Sequence, residues 1–453
     1  MNTPPRRTLC FLLICLSSTA ALLAEEGWQA GTAATEITPA KPMWMAGYAS
    51  RDRPAGETLH DLWAKVLVLE DADGDRGILL TLDLVGIGRD VTVPICDAIT
   101  KRFDVARQDI AICTSHTHSG PVVGMNLAPM HYAIVPESQQ RQIDQYADRL
   151  QQQVIELVAK AFRDLQSCRL QRASGVATFA VNRRNNPAGE VPARRSTGTL
   201  AGPVDHDVPV LAVKNADGKL KAVVFGYACH ATVLSGLQWS GDYPGCAQTE
   251  FERLHPGCQA MFWAACGGDQ NPLPRRTVEL AEHYGRRLAL AVDAALLTSQ
   301  VTDVKPTLVT SIAEIDLALD TLPTKEELQK TVNSTNRYEQ SRARLLLQKI
   351  KADGSLSQTY PYPIGVWKLG DLHWVFLGGE VVVDYALRLK HELTGDVWVT
   401  GYANDVMSYI PSRRVLREGG YEGATSMVYY GLPTTWEPTI EEAIVREVHR
   451  QVE

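Results

Sequence analysis

The chain has 453 residues, of which 45% are hydrophobic and 21% are charged, so it can bury a sizeable core and is not an intrinsically disordered protein. Its net charge of −7 at pH 7 disfavours nucleic acid as a partner. Length alone allows one large α/β unit or two to three domains.

Residues 1–24 have the pattern of a secretory signal peptide. An arginine pair precedes a short apolar stretch, and small residues then lead to a predicted cleavage after Ala24. Cleavage at this position removes the two arginines and takes the net charge to −9. The signal peptide predicts export of residues 25–453 to the periplasm or the extracellular space. No apolar run long enough to cross a membrane occurs elsewhere in the sequence, so no transmembrane segment is predicted.

Apolar periodicity predicts an α/β protein with a mixed β-sheet core and flanking helices. Residues 28–56 are rich in Gly, Pro, Ala and Thr, which predicts an irregular surface segment. A hairpin is predicted where the apolar runs Leu62–Glu70 and Gly77–Val85 flank a turn rich in Asp. The remaining predicted elements are, in chain order, helix Arg89–Phe103, strand Ile110–Cys113, helix Gln139–Leu165, strands Leu170–Val181, Val208–Val213, Leu220–Cys229 and Ala260–Ala265, helices Val278–Leu297 and Lys325–Lys351, strands Ile364–Leu369, His373–Leu377 and Val397–Thr400, and helix Ile440–Val452.

Cysteine usage leaves the redox state of the mature chain partly open. Seven cysteines follow residue 24, and an odd number leaves at least one thiol unpaired. Cys113 and Cys229 lie in apolar runs and are interpreted as buried free thiols. The sequence leaves open whether Cys246 and Cys258 form a disulfide.

A histidine pair follows one of the predicted buried strands, in the stretch Ser115-His116-Thr117-His118-Ser119-Gly120-Pro121. If the backbone is extended there, residues two apart point the same way, and both imidazoles face one site. Neutral imidazole is the commonest metal ligand in proteins, so the pair could hold a divalent ion or divide ligand and proton-transfer roles.

Further polar residues that can bind a metal ion follow other apolar strands: His230, Glu380 and Tyr409. Because sites in open α/β sheets form at strand ends, these side chains are expected to converge. Two histidines and a glutamate suit zinc, which predicts a zinc hydrolase. Asp242 is interpreted either as an acceptor that orients a histidine or as a helix N-cap.

Several ordered motifs resemble the neutral/alkaline, non-lysosomal ceramidase family. They are Thr114–Pro121, the strand ending at His230, Gly379-Glu380, and Asn404–Tyr409 followed by Tyr421-Glu422-Gly423. The similarity extends in patches from about residue 28 to residue 433. It implies one N-terminal catalytic domain over residues 25–453, without the immunoglobulin-like C-terminal domain of full-length ceramidases.

The same resemblance implies the roles of seven residues. The implied zinc ligands are His116, His230, Glu380 and Tyr409, and the implied catalytic groups around the scissile amide are His118, Arg183 and Tyr421. The implied reaction is attack of zinc-bound water on the amide of ceramide or a related N-acyl lipid, as in sphingolipid metabolism, and a transient contact with a membrane surface fits such a substrate. One residue departs from the family pattern: Asn271 stands where the family has a serine.

Four alternatives differ from this assignment, and the residues after His118 and before His116 disfavour the first two. In metallo-β-lactamase-like enzymes an Asp-His pair follows the first histidines, whereas Ser119-Gly120-Pro121 stands here. In amidohydrolase barrels the histidine pair opens the first strand, whereas here a hairpin and a helix precede it. Because Asn271 replaces the family serine, a third alternative is a secreted binding protein without catalytic activity. The fourth is a zinc hydrolase of a non-lipid amide or ester.

Overall fold

The structure is a computed structural model that describes residues 27–453, and the predicted signal peptide lies outside the described residues. The strands are β1 Trp28–Glu36, β2 Glu57–Thr58, β3 Trp63–Glu70, β4 Arg76–Leu82, β5 Ile110–Thr114, β6 Gln166–Val176, β7 Ala180–Asn182, β8 Asp207–Asn215, β9 Leu220–Tyr227, β10 Gln238–Trp239, β11 Gln259–Ala264, β12 Gln270–Pro272, β13 Thr302–Asp303, β14 Leu308–Ala318, β15 Thr359–Leu369, β16 Leu372–Leu377, β17 Glu380–Val381, β18 Asp396–Thr400 and β19 Tyr409–Ile410. The α-helices are α1 Arg89–Phe103, α2 Glu137–Arg163, α3 Val191–Thr197, α4 Asp242–Leu254, α5 Val278–Leu296, α6 Lys325–Thr331, α7 Arg337–Asp353, α8 Val383–Glu392, α9 Arg413–Glu418, α10 Met427–Tyr430 and α11 Ile440–Val452. Within residues 27–453, no helix combines the length and the apolar character needed to cross a bilayer.

Two β-sheets form the centre of the molecule. The larger has the strand order β11-β9-β8-β6-β1-β3-β4-β5, with β13 paired to β6. Its outermost pairs, β11 with β9 and β4 with β5, are parallel, and the others are antiparallel. The smaller sheet has the order β14-β15-β16-β18. This arrangement confirms the predicted mixed-sheet core with flanking helices.

The sheets and helices form four layers, because each sheet buries both of its faces. Helices α1 and α2 cover one part of the outer face of the large sheet, and α4 and α5 cover another. Its inner face packs on the small sheet through a tryptophan-rich core that includes Trp263, Trp367 and Trp374. Helices α8 and α11 cover the remaining face of the small sheet. Close packing on both faces holds the strand ends, where the predicted site lies, in fixed positions.

The prediction of an irregular surface segment over residues 28–56 is wrong for its first part. Residues 28–36 form β1, which pairs with β3 and β6 near the middle of the large sheet. The small residues permit close packing of α2 on this strand: a Cβ at Gly31 would lie 1.9 Å from the carbonyl oxygen of Ala161. A stretch rich in Gly and Ala therefore marks a close helix contact here and not a loop.

The ends of the large sheet meet, which brings distant strand ends together. Strands β5 and β11 contact each other, and the chain after β18 lies along both. Thr400 bridges to Ala265 just beyond β11, and Ala403 bridges to Cys113 in β5. The Asn404 side-chain oxygen also accepts a hydrogen bond of 3.1 Å from the Ile112 amide. The carboxyl ends of β5 and β9 are thereby held on one side of the molecule.

Two predicted elements are each divided in the structure. The predicted strand Leu170–Val181 is β6 followed by the short β7, which turns away to pair with β12. The predicted helix Lys325–Lys351 is α6 and α7, separated at residues 332–336, where Asn336 caps α7. These two helices share a small core of their own, centred on Leu328 and Leu346.

All seven cysteines of residues 27–453 are unpaired and buried. The interpretation of Cys113 and Cys229 as free thiols is therefore confirmed. Cys246 and Cys258 do not form the disulfide that the sequence left open, and both pack as apolar side chains in the core beneath α4 and α5.

One buried histidine outside the predicted site gives a pH-dependent prediction. His131 is 1% exposed and neither ring nitrogen has a hydrogen-bond partner. Burial, and then the charges of Arg51 and Arg337, lowers the pKa of His131 to about 3. Because an unfolded histidine titrates near 6.5, the unfolded chain binds one proton more than the folded chain between these values. From this residue the free energy of unfolding falls by about 1.4 kcal/mol per pH unit as the pH drops.

His131→Leu is therefore expected to remove this term. Urea unfolding of both proteins between about pH 6 and pH 4 should show the wild-type free energy of unfolding falling relative to the variant as the pH drops. Contributions from other groups cancel in the difference. A difference that does not change with pH would show that His131 titrates normally in the folded chain.

Candidate metal centre

His116 follows β5 and faces the interior. Its φ of 57° is left-handed, so the backbone is not extended as the sequence analysis assumed, yet both His116 and His118 reach the same site. The Nδ1 of His116 lies 2.5 Å from the carbonyl oxygen of Val85. A carbonyl oxygen only accepts, so Nδ1 carries the proton, and in the neutral ring Nε2 presents a lone pair to the site. The Tyr402 ring, 4.3 Å away between centroids, packs on the imidazole.

His230 follows β9 and is held in the same manner. Its Nδ1 lies 2.7 Å from the carbonyl oxygen of Gly267, so Nε2 again presents a lone pair. Burial, and next the charge of Arg183, lowers the pKa of His230 to about 4. The ring is therefore neutral at neutral pH, which is the form that binds metal ions.

Glu380 and Tyr409 lie side by side because β17 and β19 pair in parallel, with these two residues in register. Gly379 precedes Glu380 with a φ of 75°, and a Cβ there would lie 2.6 Å from Ile410 Cγ1. The glycine that precedes the predicted ligand is thus required by both backbone conformation and space. Burial raises the pKa of Glu380, but the adjacent His116 and His230 outweigh it and hold that pKa well below its usual range.

The donor atoms of these four residues form three close pairs. Glu380 Oε2 lies 3.2 Å from His116 Nε2 and 3.0 Å from His230 Nε2. The Tyr409 hydroxyl lies 3.2 Å from His230 Nε2. Atoms bound about 2.1 Å from one zinc ion lie roughly 3.0–3.4 Å from one another. Lone pairs and a carboxylate this close repel unless a proton or a cation lies between them, so the donor set fits a divalent metal ion.

His118 completes the cluster. Its Nε2 lies 3.1 Å from His116 Nε2, and the ligand atoms of His116, His118 and His230 all lie within 4.8 Å of one another. These three imidazoles could hold a metal ion. His118 Nδ1 has no hydrogen-bond partner, and burial, followed by His116 and His230, lowers the pKa of His118 well below its usual value.

Arg183 lies beside the cluster at the end of β7. Its Nη2 donates to the Tyr409 hydroxyl at 3.0 Å, and Nη1 lies 3.4 Å from His230 Nε2. Its Nε donates to Glu422 at 2.7 Å, and Glu422 also accepts from Arg184 at 2.5 Å. The Arg183 charge, although buried, is therefore balanced, and its pKa stays well above the usual value because Tyr409 and Glu422 outweigh its burial.

A cleft of about 700 Å³ opens from the Arg183 side of the cluster, and its wall includes Arg183, Asn271, Arg275 and Tyr421. Tyr421 is 43% exposed, and its ring lies 5.4 Å from that of Tyr409. Asn271 places its side-chain oxygen 3.4 Å from Arg183 Nη1. The residue that replaces the family serine thus lies within reach of the cluster.

All seven site residues predicted from the sequence lie together, although their roles remain predictions. The interpretation of Asp242 as an acceptor that orients a histidine is wrong. Asp242 begins α4 and accepts hydrogen bonds from the backbone amides of Val233, Leu234 and Tyr243. Backbone carbonyls orient His116 and His230 in its place.

Sequence reasoning missed several residues that contact the site. The Tyr430 hydroxyl donates to Glu380 Oε1, and the Tyr48 ring packs 4.8 Å from the His118 ring. Neither tyrosine follows a predicted strand or belongs to a recognisable motif. The two orienting carbonyls have no side-chain signal at all, so only the fold could reveal them.

The solved structure of neutral ceramidase from Pseudomonas aeruginosa superposes on 94% of this chain and 74% of that protein, with a TM-score of 0.72 and 20% sequence identity. This likeness shows a shared fold. Neutral ceramidase A from Dictyostelium discoideum is 23% identical over 272 residues, which is 55% of this chain and 37% of that protein. Neutral ceramidase 2 from Arabidopsis thaliana is 27% identical over 124 residues, or 27% of this chain and 16% of that protein. The matches therefore span much less than two thirds of either relative.

The sequence model of neutral/alkaline non-lysosomal ceramidases, N-terminal part, matches residues 28–316. That range is more than half of the chain and contains His116, His118, Arg183 and His230. Glu380 and Tyr409 lie beyond it and join the cluster through the pairing of β17 with β19. The chain belongs to the neutral/alkaline, non-lysosomal ceramidase family.

Proposed function

We propose that this chain is an exported, zinc-dependent hydrolase that cleaves the amide bond of an N-acyl substrate, ceramide or a related N-acyl lipid. The observation that supports it most is the convergence of four donor residues beside the Arg183 guanidinium. Glu380 Oε2 lies 3.2 Å from His116 Nε2 and 3.0 Å from His230 Nε2, and the Tyr409 hydroxyl lies 3.2 Å from His230 Nε2. Family membership and the substrate named in the relatives' names agree with this reaction. Export rests on the signal-peptide pattern of residues 1–24.

The donor set favours zinc over other divalent ions because it combines imidazole nitrogens with carboxylate and phenol oxygens. His116, His230, Glu380 and Tyr409 would hold the ion. When bound, zinc supplies a Lewis acid that polarises a carbonyl and lowers the pKa of water to about 7.

The remaining residues act on the substrate. The neutral His118 accepts a proton from the attacking water and returns it to the leaving nitrogen, since its depressed pKa keeps the ring unprotonated. Arg183 and the Tyr421 hydroxyl, which both line the cleft, stabilise the negative charge that develops on the carbonyl oxygen. In this mechanism the amide enters through the cleft and meets Arg183 and Tyr421 on its wall.

The test is metal content and amide hydrolysis on protein produced without residues 1–24. We expect about one zinc per chain by plasma mass spectrometry, and zinc-dependent release of amine from short-chain ceramide and from N-acyl ethanolamines. A chelator should abolish this activity, and added zinc should restore it. Failure to bind zinc even when it is supplied would contradict the proposal. A zinc-loaded protein that hydrolyses none of the amides and esters tested would indicate a binding protein without catalytic activity, in which Asn271 replaces the family serine.

A further inference from the structure

Three arginines near the metal centre have no acidic partner. Arg51, Arg275 and Arg276 surround the loop that follows His230, and none has a carboxylate within ion-pair distance among residues 27–453. Arg51 is buried and donates to the backbone oxygens of His118 and Gly236. Arg276 donates to the Tyr48 hydroxyl at 2.9 Å, and Arg275 donates to the Thr232 hydroxyl at 3.0 Å. Their contacts are all with neutral groups.

This cluster of like charges is unfavourable in the protein alone. Burial, and next the charge of Arg276, lowers the pKa of Arg275, and Arg183 adds to the effect. Burial likewise lowers the pKa of Arg51 to about 10, and Arg276 contributes to that shift. Arg276 also has a φ of 102°, a strained conformation for a residue with a side chain. An anion bound among these groups would relieve the repulsion.

Arg275 is the member of the cluster that lines the active-site cleft. The other cationic residues of the cleft wall, Arg183 and Arg184, both pair with Glu422. Arg275 uses one Nη1 contact to Thr232, so most of its five N–H donors are free of protein partners among the described residues. A planar guanidinium with free donors matches a carboxylate or a phosphate, which it can bind with two hydrogen bonds.

A chain of contacts places this arginine next to the reacting centre. The Thr232 hydroxyl that accepts from Arg275 lies 3.4 Å from the Asn271 side-chain oxygen, which in turn lies 3.4 Å from Arg183 Nη1. An anion on Arg275 would therefore lie in the cleft on the side of Arg183 and Tyr421. A group at this place belongs to the polar, amine-derived part of an N-acyl substrate, since the acyl part is hydrocarbon.

We propose that Arg275 determines specificity by binding a carboxylate or a phosphate monoester carried by the amine part of the N-acyl substrate. The proposal rests on the proposed amide hydrolysis and identifies anionic N-acyl amides as the preferred substrates, with neutral N-acyl amides hydrolysed more slowly. Arg276 and Arg51 raise the local positive potential without lining the cleft.

The experiment compares three substrates that share one acyl chain: N-octanoylglycine, N-octanoyl-phosphoethanolamine and the neutral N-octanoylethanolamine. The zinc-loaded wild type should prefer one or both anionic substrates by tenfold or more in kcat/KM. In Arg275→Gln, kcat/KM should fall ten- to a hundredfold for that anionic substrate, mainly through KM, and less than threefold for the neutral one. Arg275→Lys should recover part of the loss, and Arg286→Gln, at an exposed position of α5, should change nothing. The preferred anion identifies carboxylate or phosphate as the bound group.

Equal kcat/KM for the anionic and neutral substrates in the wild type would overturn the proposal, as would an equal loss for all three in Arg275→Gln. Calorimetric binding of N-octanoylglycine and N-octanoyl-phosphoethanolamine separates this inference from the proposed function. Binding that depends on Arg275 without any hydrolysis would support the anion site and contradict the hydrolase. Hydrolysis of the neutral amide with no Arg275-dependent binding of either anion would support the hydrolase and contradict the anion site.

Discussion

His230→Ala is expected to remove metal and activity together. His230 Nε2 lies 3.0 Å from Glu380 Oε2 and 3.2 Å from the Tyr409 hydroxyl, so it occupies the middle of the donor set. Its loss leaves the buried Glu380 with one imidazole fewer and opens the set on one side. Loss of a residue that only orients a metal ligand lowers metal affinity roughly 10–100-fold, and loss of His230, a predicted ligand, should lower zinc affinity by more than that. Plasma mass spectrometry after dialysis should find little zinc in the variant, and amide hydrolysis should fall to background.

Tyr421→Phe is the matched control for this variant. The Tyr421 ring lies against Tyr409 and beneath the Arg183 guanidinium, but its side chain is 43% exposed on the cleft. Removing the hydroxyl should leave zinc at the wild-type level and lower kcat about ten- to a hundredfold. Equal zinc loss in both variants would show that the tyrosine belongs to the metal shell or that both changes act by unfolding the site. Circular dichroism of the two variants distinguishes these cases.

The strand-end positions of His116 and His230 were predictable because the signal is local. Each follows an unbroken apolar run and precedes polar and small residues, which is the pattern of a buried strand that ends at a loop. Their convergence was expected because sites form at strand ends, but the contacts that produce it were not predictable from this pattern. It depends on the meeting of β5 with β11 and on the insertion of residues 400–404 between them, which are contacts between segments far apart in sequence. The resemblance of several ordered motifs supplied what periodicity could not.

The elements that sequence reasoning misplaced show why composition misleads. Residues 28–36 have the Gly and Ala content of a loop, but that content permits α2 to approach Gly31 of β1. Residues 325–351 are rich in charged residues that favour a helix, and a single helix was predicted there. Its break falls at Asn333-Ser334-Thr335-Asn336, a cluster of capping and turn residues that marks the position in the sequence. Four such residues in a row inside a predicted helix therefore indicate the end of one helix and the start of another.

Arg183→Gln is expected to lower kcat about 10²–10³-fold with zinc content unchanged. Arg183 lines the cleft, and its guanidinium donates to the Tyr409 hydroxyl at 3.0 Å and lies 3.4 Å from His230 Nε2. The charge that develops on the carbonyl oxygen needs such a fixed donor, and glutamine offers a weaker, neutral one. Steady-state kinetics on an N-acyl amide, with zinc measured on the same samples, checks this expectation. KM should change much less than kcat, because the interaction strengthens in the transition state.

Arg184→Gln separates charge stabilisation from structural support. Arg184 binds the same Glu422 and also Glu418, so its loss weakens the ion-pair network on the cleft wall as Arg183→Gln does. It contacts neither Tyr409 nor His230, and kcat should therefore fall less than tenfold. In both variants Glu422 keeps one arginine partner, so the buried carboxylate is not left unpaired and the fold should tolerate each change. A similar loss of kcat in both would show that the two arginines act by holding the Tyr421-Glu422 segment in place, and Arg183 would then have no direct role at the carbonyl oxygen.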